Sequence, residues 1–339
     1  MMVERDWTAD AGAFTYHGGA LEVARRLAPG APEPWIDLST GINPYPYPVP
    51  DLALKAWSRL PGSGALAELE ATAAGRYGTA AENVVAGPGS QALIQALARI
   101  IPGGAVGVLG PTYGGLAAAF AAAGARVDEA KRIEDMGAFH VAIVVNPNNP
   151  DGRIIPRAQL LKLAERLRRR GGRLIVDEAF ADFDGASESL APVLPAGVAV
   201  LRSFGKSFGL AGLRLGFAIA SPEIVPPLRA AVGEWPVSGP AIAIGTKALG
   251  DGAWTDAMRD RLGKDAARLD RLLDGNGWRI VGGTRLFRLA ATADARYVFE
   301  RLLAAGILVR PFAEAPDRLR FGIPGDENAW RRLADALPG

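Results

Sequence analysis

Between Asn83 and Ala220 the chain alternates short β-branched runs with alanine- and leucine-rich stretches, and this rhythm constrains its fold more than any other feature. NVVAG leads into SQALIQALARI and AVGVL into YGGLAAAFAAAG. VAIVV, a helical stretch over 157–170, RLIVD, VAVLRS and LRLGFAIA follow. Apolar runs buried on both faces and separated by helices predict an α/β fold, a mostly parallel sheet flanked by helices. After Pro236 the pattern changes. A helix around Ala253 to Leu273 precedes WRIV, TRLFRLA, another helix, ILVRPF and RLRFGI, an order that predicts a smaller α+β domain. We place the large domain at 36–231 and assign 1–35 and 232–339 to an N-terminal arm and the small C-terminal domain. The opening stretch, with INPYPYPVP, is too rich in Gly and Pro for one regular element; it predicts a segment that wraps the surface or reaches a partner subunit.

Composition removes several classes of function. The chain has no cysteine, which excludes disulfides, thiolate nucleophiles and Cys-based metal sites. Its two histidines, His17 and His140, are too few for a His-rich metal site, and no metal is expected. The formal charge is +2, and the densest basic cluster, Arg166 to Arg170, continues a helical apolar pattern, so it reads as a solvated face rather than a nucleic-acid site. No apolar run is long enough for a bilayer, and MMVERDWTADAGAF lacks an apolar signal core, so a cytoplasmic protein is expected.

In sheets of this kind ligands bind beyond the carboxyl ends of the strands, so the residues that follow each strand are informative. NVVA is followed by Gly87-Pro88-Gly89-Ser90-Gln91, opening a helix whose first N–H groups suit a phosphate; a tight turn with Ser90 as N-cap is the plainer alternative. The string also fits a dinucleotide fingerprint, but that requires an acid roughly 20 residues on. None occurs between Glu82 and Asp128. Tyr113 follows AVGVL, where its ring either stacks on a flat heterocycle or packs in the core. VAIVV is followed by Asn146-Pro147-Asn148-Asn149-Pro150, a stiff loop with three carboxamides available to a ligand. RLIV ends in Asp177, an acid costly to bury unless paired; a protonated ring nitrogen is one partner, and a local cap is the alternative. VAVL leads to SFGKSFGLAGLRLGF. Of six lysines, Lys206 alone sits in a Ser/Gly-rich loop after a buried strand. Near cationic groups in a partly dry pocket such an amine has a lowered pKa and forms imines, a surface lysine being the plainer alternative. Ser203 and Arg214 offer phosphate ligands.

Taken together these stretches resemble the fold-type I pyridoxal-5′-phosphate (PLP) enzymes of the aspartate aminotransferase superfamily, across nearly the whole chain. The resemblance implies Lys206 as the Schiff-base lysine and Asp177 as the partner of the pyridinium nitrogen. It puts Asn149 on the cofactor's 3′-oxygen, Tyr113 on the ring, and Gly89, Ser90, Gln91, Ser203 and Arg214 around the phosphate. Arg320, in RLRFGI, would clamp a substrate carboxylate. A homodimer is also implied.

The strings Tyr16-His17-Gly18-Gly19 and IDLSTGINP, Ile36 to Pro44, look like the N-terminal segments of L-threonine-O-3-phosphate decarboxylases, which serve cobalamin biosynthesis; their relatives are histidinol-phosphate aminotransferases. By that similarity His17 would contact the phosphate of a small phosphorylated amino acid, and Gly41, Ile42 and Asn43 would lie near its carboxylate. The expected activity is decarboxylation of threonine phosphate to (R)-1-amino-2-propanol phosphate, with aminotransfer as the alternative. Four positions depart from the pattern: Phe180 and Leu60 stand where tyrosines are usual, Asp151 replaces a threonine, and Gly205 replaces a hydroxyl residue before the lysine.

Overall fold

The computed structural model describes residues 14, 18–101 and 104–338. The strands in chain order are β1 (Ile36–Asp37), β2 (Val84–Gly87), β3 (Ala105–Leu109), β4 (Arg126–Ala130), β5 (Val141–Val145), β6 (Arg173–Asp177), β7 (Val198–Ser203), β8 (Gly216–Ala220), β9 (Arg279–Thr284), β10 (Phe287–Ala291), β11 (Ile307–Leu308), β12 (Arg310–Pro311) and β13 (Arg318–Gly322). Seven of them form one sheet in the order β2-β8-β7-β6-β5-β3-β4. Neighbours from β7 through β4 run parallel, and β8 is antiparallel to both β2 and β7.

Both faces of this sheet are dry, which is why its strands read as continuous apolar runs. On one face Val144, Val176, Val200 and Phe217 pack with Leu69, Leu160, Leu163 and Ile244 from the helices Ser63–Tyr77, Arg157–Arg168 and Gly239–Gly250. On the other, Val108, Ile143, Ile175 and Leu201 meet Leu93, Leu97, Leu116 and Leu228 from the helices Ser90–Ile100, Gly114–Ala122 and Val225–Val232. Side chains alternate along each strand, so Val176 and Ile175 belong to opposite cores, as do Val200 and Leu201. The edge strand β4, RVDEA, is largely exposed and carries no apolar run; it is the one sheet member that the sequence pattern does not announce.

The chain divides into two compact units, 45–258 and 1–44 with 259–339. Sequence rhythm drew the later boundary at 231. The helix Gly239–Gly250 packs against the helix Ser63–Tyr77, which keeps this stretch with the larger unit. The smaller unit holds an antiparallel sheet in the order β12-β13-β10-β9, together with the helices Ala295–Ala304 and Glu327–Ala336. In the same unit β1 runs parallel to β11, and Gly322 donates its N–H to the carbonyl of Leu38 at 2.6 Å. Among the described residues no helix is long and apolar enough to cross a membrane, and no three or more His, Asp or Glu side chains group as metal ligands.

Candidate active site

The larger unit gathers its polar residues at the carboxyl ends of β2, β3, β5, β6 and β7. β2 ends at Gly87, and Gly89 (φ 89°) turns the chain into the helix Ser90–Ile100. Gly89, not Ser90, is the N-cap, and no side chain caps the helix. A Cβ on Gly89 would lie 2.7 Å from Nη2 of Arg214, so this guanidinium covers the helix start. Arg214 itself has left-handed backbone (φ 54°) and donates to the carbonyl of Ala211 at 3.2 Å. β8 presses on the same point: a Cβ on Gly216 would meet the Ser90 nitrogen at 2.4 Å. Gly216 pairs with Ser203 across β7 and β8, which brings Ser203, Arg214, Gly89 and Ser90 to one corner. Backbone N–H groups, a helix N-terminus and a guanidinium in one place form a cradle for a doubly charged anion.

Tyr113 is the N-cap of the helix Gly114–Ala122 and donates its hydroxyl to Oε1 of Gln91 at 3.1 Å, so its ring is tethered to the helix that Gly89 opens. The loop after β5 is more self-contained than its composition suggests. Asn146 bonds reciprocally with Ile155, donating to its carbonyl at 3.2 Å and accepting its N–H at 2.8 Å. Asn148 accepts from the hydroxyl of Thr112 (2.6 Å) and donates to Pro111 (3.1 Å) and Asp151 (2.8 Å). Two of the three carboxamides therefore hold the loop, a correction to the expectation that they face a ligand, and Asn149 is the buried amide carried by that frame. Asp151 has a local reason as well, because it also accepts the N–H of Arg153 at 3.0 Å.

Asp177 is buried at the end of β6, where Oδ1 accepts the N–H of Ala179 at 3.0 Å. Burial pushes its carboxyl up to about 6, the neighbouring Glu178 acts in the same direction, and the Lys206 ammonium acts in the opposite one. The structure thus brings Asp177 and Lys206 into one electrostatic neighbourhood. Lys206 lies in the short helix Phe204–Ser207, with Nζ 5.7 Å from the centroid of the Phe180 ring.

In the smaller unit Arg320 meets Ser39, which in turn lies against Gly18 and Gly19. Gly19 donates its N–H to Oγ of Ser39 at 2.8 Å, and a Cβ on Gly18 would lie 2.3 Å from the Ser39 carbonyl. That carbonyl also accepts from Nη2 of Arg320. Ser39 donates both its N–H (2.8 Å) and its hydroxyl (2.6 Å) to Asp37. Gly41 is left-handed (φ 61°), and Asn43 is buried. His17 lies outside the described residues. Arg320 is 1% exposed; burial and the charge of Arg310 drive its guanidinium well below the ordinary arginine range, while Asp37 opposes them. The sequence reading missed Arg310. It is buried and directly opposite Arg320 across β12 and β13, a register that ILVRPF alone does not reveal.

The aminotransferase class I and II family model matches residues 33–337. A threonine-phosphate decarboxylase from Pseudomonas aeruginosa is 44% identical over 326 residues, covering 95% of this chain and 97% of its own. Another, from a Sinorhizobium species, is 43% identical over 324 residues, again covering 95% and 97%. The crystal structure of a histidinol-phosphate aminotransferase from Sinorhizobium meliloti, in complex with pyridoxal-5′-phosphate, superposes with a TM-score of 0.84 at 20% identity over 94% of this chain and 93% of that one, a likeness of fold. By the span of the family model and the depth of these two similarities, this chain belongs to the class I and II aminotransferase family.

Proposed function

We propose that this protein is a PLP-dependent carboxy-lyase that converts L-threonine O-3-phosphate to CO₂ and (R)-1-amino-2-propanol phosphate, a step serving cobalamin biosynthesis. One observation carries the cofactor: the buried Asp177 carboxyl and the Lys206 amine share an electrostatic neighbourhood in the unit that also forms the Gly89–Arg214 cradle. The choice of decarboxylation rests on the two relatives of that name, whose similarity spans 95% of the chain. The smaller unit supports an anionic substrate, since it buries Arg310 opposite Arg320.

The residues fit the cofactor by their own chemistry. In the proposal Ser203, Arg214 and the N–H groups of Ser90 and Gln91 hold its phosphate. Tyr113 covers the ring, Asn149 bonds the 3′-oxygen, and Lys206 Nζ is the point of attachment. When bound, PLP supplies an electron sink for the bond pair that a departing group leaves on Cα. Asp177 keeps a proton on the ring nitrogen, a pairing that suits a carboxylate buried away from water. Arg320 and the Gly41–Asn43 segment orient the carboxylate so that its bond to Cα is the one broken, and His17 takes the substrate phosphate. After CO₂ leaves, Lys206 Nζ returns a proton to Cα. The enzyme works as a homodimer, a reading supported by the exposed apolar Val49, Trp57, Leu60 and Trp235, which line one groove of about 750 Å³ on the larger unit.

The test is a side-by-side assay. The purified holoenzyme should release CO₂ from threonine phosphate without a keto-acid acceptor, and Lys206→Ala should lose this activity together with the long-wavelength absorption of bound cofactor. Turnover of histidinol phosphate that depends on an acceptor, with threonine phosphate inert, would make the protein an aminotransferase instead.

A further inference from the structure

Asp177 and Glu178 are adjacent, as are Arg202 and Ser203, and strand alternation sends the members of each pair to opposite faces of the sheet. Asp177 and Ser203 share the face of Ile175 and Leu201, where the cofactor residues lie; Glu178 and Arg202 share the face of Val176 and Val200. On this second face Arg202 Nη2 stands 2.7 Å from Oε2 of Glu178 and donates to Oγ of Ser189 at 2.9 Å. Its Nη1 donates to Oδ1 of Asp182 at 3.3 Å, and its guanidinium lies 4.7 Å over the ring of Tyr77. Glu178 also accepts the hydroxyl of Ser189 (2.6 Å) and the N–H of Leu190 (3.1 Å). Glu178, Arg202 and Asp182 are all buried, so none of these charges has bulk water as an alternative partner.

This cluster binds the whole turn that follows β6, residues 178–190, to the last residue but one of β7. Nothing in the proposed chemistry uses it. It lies one residue from the ring-nitrogen carboxylate and one residue from the phosphate serine, on the side that no ligand occupies in the proposal.

We propose that Arg202 and Glu178 form a clamp on the back of the sheet that positions Asp177 against Ser203 and Lys206 and sets the electrostatic potential at Asp177. Arg202 and Glu178 are then positioning residues for the cofactor site, an inference that rests on the PLP reading above. The charged and titratable groups around the clamp are Asp182, Tyr77 and Arg76 on its own face and Asp177 and Lys206 across the sheet. Removing Glu178's charge leaves the neighbourhood more positive, and removing Arg202's charge leaves it more negative. A bound cation such as a protonated ring should respond with opposite sign to the two changes.

The experiment records the visible absorption of the holoenzyme against pH, together with kcat and KM, for wild type, Glu178→Gln, Arg202→Met and Arg202→Lys. Glu178→Gln should move the titration midpoint of the cofactor band down and Arg202→Met should move it up, each by on the order of one pH unit. In both, kcat should fall on the order of ten- to a hundredfold with KM nearly unchanged, because a misplaced group is felt most in the transition state. Arg202→Lys should recover part of the loss. If Arg202→Met does not fold, Glu178→Gln carries the test alone, since it keeps the shape of the side chain and its one amide oxygen keeps one of the two acceptor roles, toward Ser189 or Leu190. Folded, cofactor-loaded variants with wild-type midpoint and kcat would overturn the clamp. A wild-type protein without any cofactor band would instead overturn the PLP reading itself.

Discussion

Asp177 is a carboxyl whose burial opposes its own charge. With its carboxyl pushed up to about 6 from an ordinary 3.8, the folded protein binds this proton more tightly than the unfolded chain does. The cofactor-free protein should therefore lose stability as pH rises through the window from about 4 to about 6, by up to about 3 kcal/mol from this group. Asp177→Asn should flatten that part of a melting-temperature-against-pH profile; an unchanged slope would mean that the carboxyl is not the group responsible. Two departures from the family pattern also become intelligible at this scale. A side chain at Gly205 would come within 2.7 Å of the Ala211 Cα, so the hydroxyl residue usual there has no room. Phe180 offers Lys206 an aromatic face where relatives offer a phenol. Lys206, Asp177 and Asn149 were legible as residues because each is a polar group placed beyond the point where an apolar run stops, whereas Arg320, inside β13, was singled out by the family resemblance alone. Arg310, Arg202 and Glu178 were not, because their meaning lies in partners that are distant in sequence or on another strand.

At the scale of elements, the junction of β2, β8 and the helix Ser90–Ile100 depends on two backbones approaching closely. The neighbours of a Cβ on Gly216 are backbone atoms of Ser90, Gly89 and Arg202, which cannot swing away as a flexible side chain would. Gly216→Ala should destabilise the protein by about 1–3 kcal/mol through overpacking. It should also weaken retention of PLP by at least about tenfold, because the displaced N–H groups are those assigned to its phosphate. Denaturation and cofactor-release measurements check both, and wild-type retention would remove the phosphate from this junction. Strands β2, β3 and β5 to β8 were visible as apolar runs, and the helix expected around Ala253–Leu273 is found at Gly252–Gly275. The direction of β8 was not visible, since GFAIA is equally apolar read either way. β4 escaped because an edge strand needs little apolar content.

At the scale of the whole molecule, Val49, Trp57, Leu60 and Trp235 give the larger unit more contiguous apolar surface than scattered exposure accounts for. If that surface holds a second copy, Trp57→Glu combined with Leu60→Glu should shift sedimentation from dimer to monomer at micromolar protein, while the circular dichroism of the subunit is retained. A dimer that survives both charges would place the interface elsewhere. The sequence by itself determined that this chain folds as a helix-flanked parallel sheet with a second α+β unit, and it marked the strand ends where chemistry is placed. Those signals are local, carried by periodicity and by what interrupts it. The tertiary structure alone decided which interrupting residues meet: strand order put β6 beside β7 and so Glu178 against Arg202, and register put Arg310 opposite Arg320. Glu178 and Arg202 stand 24 residues apart, beyond a local window, while Arg310 and Arg320, ten apart, are matched by a strand register that residue types alone do not set.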